Sequence, residues 1–144
     1  MKYARIRALA TVGLAASLVA CESGPPTSGV THIKSDTALG PYSGAVMVDR
    51  FIFLSGKIGD PSLSFIDESH EAIDAVEEEL GRSGASLDDV VSVTVYLTDL
   101  ENYSLFNEIY SSRFPAPHPA RACVEVAELP GGARVEIQAV AVRR

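Results

Sequence analysis

An arginine, a cysteine and a glutamate near the C-terminus carry the most promising chemistry in the chain. In the segment Pro119 to Pro130 (PARACVEVAELP), Arg121 follows directly on a loop stiffened by Pro115, Pro117 and Pro119. In a strand, side chains alternate between faces, so Arg121, Cys123 and Glu125 would share one. An arginine fixed at a strand start can offer its planar fork to a carboxylate. The turn-forming run Leu129 to Gly132 (LPGG) makes the strand after Arg121 and the next strand expected antiparallel partners, which would bring Glu136 near Arg121. Two readings of that pair are open. One is a carboxylate-binding site with a proton acceptor beside it. The other is a plain cross-strand ion pair, of a kind worth little at a surface.

Other chemistries lack their residues. His32, His70 and His118 lie far apart with no paired-ligand spacing, so no metal site is expected. There is no glycine-rich phosphate loop and no Gly-x-Ser-x-Gly elbow.

The pattern of apolar residues indicates the elements that must hold these side chains. Thr31 to Ser35 is a short strand. Ala45 to Val48 and Phe51 to Ser55 form a hairpin across Asp49-Arg50. Gly56 to Ser64 (GKIGDPSLS) reads as a loop. Asp67 to Gly81 reads as a helix, started by Asp67 or Ser69 and ended by Gly81 or Gly84. Its inner stripe is Ile73, Val76 and Leu80, and the run Glu77-Glu78-Glu79 reads as solvated face. Val91 to Leu97 alternates cleanly as a half-buried strand. Asn102 to Phe114 is a second helix, with Leu105, Phe106, Ile109 and Tyr110 at helical spacing. Arg121 to Ala127 and Arg134 to Val142 are the last strands. The final one places Val135, Ile137, Ala139 and Ala141 on one face and Glu136, Gln138, Val140 and Val142 on the other. The order β-β-β-α-β-α-β-β predicts an α+β fold: one mixed sheet with both helices on one face. The uncovered face is mixed in polarity, which suits a subunit interface holding a polar site.

The first thirty residues read separately. Lys2, Arg5 and Arg7 precede an uncharged Ala-, Leu- and Val-rich run from Ala8 to Val19, of the length of a signal-peptide core rather than a membrane span. Leu18-Val19-Ala20-Cys21 resembles a bacterial lipobox, which implies lipidation of Cys21 and an anchored, exported chain. Residues 1–20 are thus the expected signal, residues 21–30 a lipidated cysteine and Pro/Gly/Ser-rich tether, and residues 31–144 the folded domain. Without the signal, nine basic residues face 19 acidic ones, a formal balance of −10. That balance argues against nucleic acid and against adhesion to anionic lipid. With Cys21 lipidated, Cys123 has no disulfide partner within the chain.

Three segments together resemble the Rid family of reactive intermediate imine/enamine deaminases. The first is Gly40-Pro41-Tyr42-Ser43, with Leu54-Ser55-Gly56-Lys57-Ile58 after the hairpin. The second runs from Ser86-Leu87-Asp88-Asp89 through Tyr96-Leu97-Thr98-Asp99 to Phe106-Asn107 and Tyr110. The third is PARACVEVAELP, followed by Val135 to Ala141. The resemblance implies the Rid/chorismate-mutase-like fold, a homotrimer with clefts between subunits, and hydrolysis of 2-imino and 2-enamino acids to 2-keto acids and ammonium without a cofactor. By the same resemblance, Arg121 would bind the substrate carboxylate, and the backbone at Cys123 and the carboxylate of Glu136 would hold and activate water. Tyr42, Gly56 and Asn107 would line the cleft. Lys57 stands where many members carry glutamine, and inside the cleft it would add positive charge and change substrate preference. An alternative use of the same cleft is non-catalytic capture of a carboxylate-bearing metabolite by a lipoprotein. A third is an envelope interaction trimer presenting its acidic surface.

Overall fold

In the computed structural model, residues 29–36 and 38–144 are described, and they form a mixed sheet with two helices against one face. The signal, Cys21 and most of the tether fall outside these residues. The strands are β1 (Val30–Lys34), β2 (Ser43–Val48), β3 (Phe51–Leu54), β4 (Lys57–Ile58), β5 (Val90–Leu97), β6 (Ala120–Glu125) and β7 (Val135–Val142). The helices are α1 (Phe65–Arg82) and α2 (Tyr103–Arg113).

The sheet order is β1-β2-β3-β7-β5-β6, with β4 continuing the line of β3 along β7. Every pairing is antiparallel except β5 with β6, which is parallel. A parallel neighbour requires a crossover, and α2 supplies it. The long central strands β5 and β7 therefore pair on both sides, which is where alternating β-branched residues fit best. Val93, Val95, Leu97, Val135, Ile137, Ala139 and Ala141 are buried towards the helices, where they meet Ile73, Val76 and Leu80 of α1 and Phe106 of α2. Burying each of the larger apolar side chains contributes about 1.5–3 kcal/mol.

Several boundaries differ from the sequence reading, each for a local reason. Helix α1 starts earlier because Ser64, not Asp67 or Ser69, is the N-cap: its hydroxyl oxygen accepts from the Asp67 backbone N–H at 3.1 Å. Ser69 is buried instead, its hydroxyl donating to the Phe65 carbonyl at 2.7 Å. Gly84, at φ +72°, lies just past the helix end. The expected loop after Gly56 contains the two-residue strand β4, too short to show a period of two.

The acidic run divides. Glu77 and Glu78 are exposed, but Glu79 is only 3% exposed and lies against Gly44, where a Cβ would fall 2.4 Å from its carboxylate. Its partner is Lys57, whose ammonium donates to Oε2 at 2.6 Å. Glu68, also buried, accepts from the backbone N–H and the Nε of Arg134, each at 2.6 Å. That clasp fixes the chain two residues before Glu136, at the entry to β7.

No described residue covers much of the opposite sheet face. Phe51 and Phe53 are each about half exposed and stack with ring centroids 6.3 Å apart, while Val140 and Val142 on the adjacent strand are only partly covered.

Candidate active site

The expected residues gather in two places. The first is the bend between β3 and β4. Tyr42, Gly56, Lys57 and Glu136 line one cavity of about 230 Å³, together with Leu39, Ile58 and Pro130. Register explains the grouping, because Ile58 lies opposite Glu136 and Lys57 opposite Ile137. Gly56 lets the Glu136 carboxylate come close: a Cβ there would fall 1.7 Å from Glu136 Oε1 and displace it from this position. The Tyr42 hydroxyl accepts from the Leu39 backbone N–H at 3.1 Å, which fixes its ring at the rim. Lys57 lines the cavity, but its side chain shares a face with Ile137 and its ammonium is committed to Glu79.

Partial burial pushes the Glu136 carboxyl above the usual glutamate value, since the charged form is less well solvated there. A carboxylate so shifted is a better proton acceptor at neutral pH. Activity that depends on its charged form should fall on the acid side with a midpoint above about 4.3, the ordinary glutamate value. A pH–rate profile of wild type and Glu136→Gln checks this: the acid limb should be present in the first and absent from the second.

The second place is the outer edge of the sheet. Arg121 and Cys123 of β6, with Leu100 and Tyr103, line an open groove of about 370 Å³. Arg121 Nη2 donates to Asn107 Oδ1 of α2. The guanidinium also lies 4.5 Å from the Tyr110 ring centroid and 5.8 Å from that of Tyr103. Burial raises the Cys123 thiol above its usual value and the nearby Arg121 charge opposes this only in part, so the thiol is protonated at neutral pH and is not a poised nucleophile.

The expected hairpin between β6 and β7 does not form. After LPGG the chain passes β5 and pairs on its far side, so β5 separates the two strands. Arg121 is in register with Val93 and Val93 with Ala139, whereas Glu136 is in register with Tyr96. The two side chains are therefore two strands apart, about 10 Å laterally and about 10 Å along the strands. They also leave opposite faces, Arg121 towards α2 and Glu136 away from the core. The plain cross-strand ion pair is excluded by the same geometry. Each half retains its chemistry: a carboxylate beside a cavity, and a cation beside an open groove.

Tyr103 and Tyr110 did not stand out beside Arg121 in the sequence. With Asn107 they recur at i, i+4 and i+7, one stripe of α2, and that spacing was the available signal.

Comparisons with known proteins give the family. The model of the family described as Endoribonuclease L-PSP matches residues 33–143. The chain is 41% identical over 121 residues to a mouse protein named 2-iminobutanoate/2-iminopropanoate deaminase, covering 79% of this chain and 90% of that one. It is 38% identical to the chloroplastic Reactive Intermediate Deaminase A of Arabidopsis thaliana, covering 88% and 71%. Among solved structures, RidA from an Antarctic Psychrobacter superposes with a TM-score of 0.71 at 34% identity, covering 78% and 97%. The matched residues include both places, from Tyr42 to Glu136, and the chain belongs to the Endoribonuclease L-PSP family, the family of the Rid proteins.

Proposed function

We propose that this chain hydrolyses small 2-imino and 2-enamino acids to 2-keto acids and ammonium, in a homotrimer anchored by lipid outside the cytoplasm. The observation that carries this reading is the division of Arg121 from Glu136 within one chain. A second copy whose β6 edge meets the Glu136 cavity of the first would complete the site at the interface. The half-exposed Phe51 and Phe53 support such an assembly, since stacked aromatics left on a sheet face mark a surface that a partner covers. The names of the relatives supply the substrate class.

In the assembled site, the substrate carboxylate binds the free edge of Arg121. The protonated imine carbon is already electrophilic. Glu136 accepts a proton from water as the oxygen bonds to that carbon. Glu136 returns that proton to the amine nitrogen of the tetrahedral adduct. The C–N bond then breaks with its electron pair going to nitrogen, and Glu136 takes the hydroxyl proton as the carbonyl forms. The ammonia released picks up that proton and leaves as ammonium. One water is consumed per ammonium released. Cleavage of RNA, which the family description names, is disfavoured by the acidic balance of the chain, because a polyanion is repelled from a surface of like charge.

The test is ammonium release from a 2-imino acid generated by an amino-acid oxidase, with semicarbazide competing for the imine. Faster hydrolysis with the protein supports the deaminase reading. Saturable 2-keto-acid binding without turnover would replace it by the metabolite-capture reading.

Anchoring is tested independently. Replacing Cys21 by serine should block lipid labelling and cleavage before residue 21, leaving a longer chain. Unchanged lipid labelling and mass would overturn the anchor.

A further inference from the structure

We propose that Tyr110 is a positioning residue for substrate binding, its ring face holding the guanidinium of Arg121 so that one edge stays open for the substrate carboxylate. The proposal rests on the reading above, in which Arg121 is the carboxylate anchor.

An arginine at an edge strand has several rotatable bonds and would sample many positions unless its head were held. Here two directions are taken. One Nη2 hydrogen is committed to Asn107 Oδ1. The guanidinium carbon lies over the Tyr110 ring, 4.5 Å from its centroid, with the Tyr103 centroid further off at 5.8 Å. A guanidinium has five N–H donors in one plane, so a face contact and one corner bond leave its other edge free for a bidentate carboxylate.

Tyr110 is suited to this by how firmly it is held. It is 4% exposed and stacks on Phe114 with centroids 4.2 Å apart and planes within 14°. Phe106 packs against it at 6.0 Å. The support is therefore rigid, and it belongs to the same helix that carries Asn107.

The hydroxyl is not the working part. It is buried with no hydrogen-bond partner among the described residues. Burial pushes its pKa up to about 12, so the ring is a neutral phenol at physiological pH. Attraction to Arg121 then comes from the π face, which favours a cation placed over it. Removing the hydroxyl should leave function intact, and weakening the π face should not.

The experiment substitutes Tyr110→Phe, then places trifluoro- and pentafluorophenylalanine at position 110. These side chains nearly keep the ring shape while drawing electron density from its face. Affinity for 2-oxobutanoate is measured by calorimetry, and KM and kcat for imine hydrolysis are measured beside it, with Arg121→Ala as reference. Tyr110→Phe should stay within about twofold of wild type. Across the fluorinated series, KM and the 2-oxobutanoate Kd should rise together by about 3- to 30-fold, with kcat held. Equal affinities across the series would overturn the positioning role, as would a Tyr110→Phe variant that loses as much as the pentafluoro form. If wild type neither binds 2-oxobutanoate nor hydrolyses imine, the parent reading falls and this proposal with it. Binding abolished by Arg121→Ala but indifferent to fluorination sinks the positioning role alone.

Discussion

Replacing Arg121 by alanine should lower kcat/KM for imine hydrolysis by about 10²–10⁴ while leaving the fold intact. Two charge-assisted hydrogen bonds to a carboxylate contribute about 1.5–3 kcal/mol each, and each 1.4 kcal/mol is a factor of ten. The fold should tolerate the change because the side chain lies at the open edge of β6, and among the described residues its one side-chain hydrogen bond is to Asn107, itself only part-buried. Lysine at the same position should recover little, since a single ammonium cannot reproduce the planar fork. Steady-state kinetics beside a thermal melt separate the two claims. A variant with unchanged kcat/KM would remove Arg121 from the site.

The largest effect on stability is expected at a different cation. Lys57→Met should destabilise the protein by about 3–5 kcal/mol, because it leaves the Glu79 carboxylate buried without its partner. One oxygen of that carboxylate, Oε1, already has no hydrogen-bond partner among the described residues. For a domain of this length the loss corresponds to a fall in Tm of about 10–20 °C. The double variant Lys57→Met/Glu79→Leu should regain much of it, since replacing both members of a buried pair by apolar groups is far milder than removing one. A single variant that melts like wild type would show that the pair is well solvated.

That ion pair also shows where the sequence was legible and where it was not. β5 and β7 were plain because their alternation is a local property: Val93, Val95 and Leu97 and the inner face of β7 are buried as expected, while Val91 is exposed where the register shifts at the start of β5. The Tyr42–Gly56–Glu136 group came from a resemblance rather than from any local period. Its cause is tertiary: β4 lies along β7 and sets Gly56 against Glu136. Glu79 looked like its exposed neighbours because local charge carries no sign of a lysine 22 residues away. The pairing of β6 with β7 was misread because LPGG marks a turn without naming the strand that follows as its neighbour. The crossover through α2 had already set β6 parallel beside β5, and β7 had its place on the far side of β5. Misreading that one pairing put Glu136 near Arg121 within one chain. Correcting it places Arg121 on the edge strand β6 and Glu136 on the central strand β7, a separation that the proposed assembly would bridge.

Mixing two inactive variants tests that division most directly. Arg121→Ala and Glu136→Ala are each prepared, unfolded together at equal amounts and refolded, and ammonium release from a 2-imino acid is compared with that of either variant alone. If each site joins Arg121 of one subunit to Glu136 of its neighbour, random mixing restores about a quarter of the sites. Recovery near that level is the predicted result. Mixed oligomers that form and remain inactive, beside an active wild type refolded in the same way, would contradict a site shared between subunits.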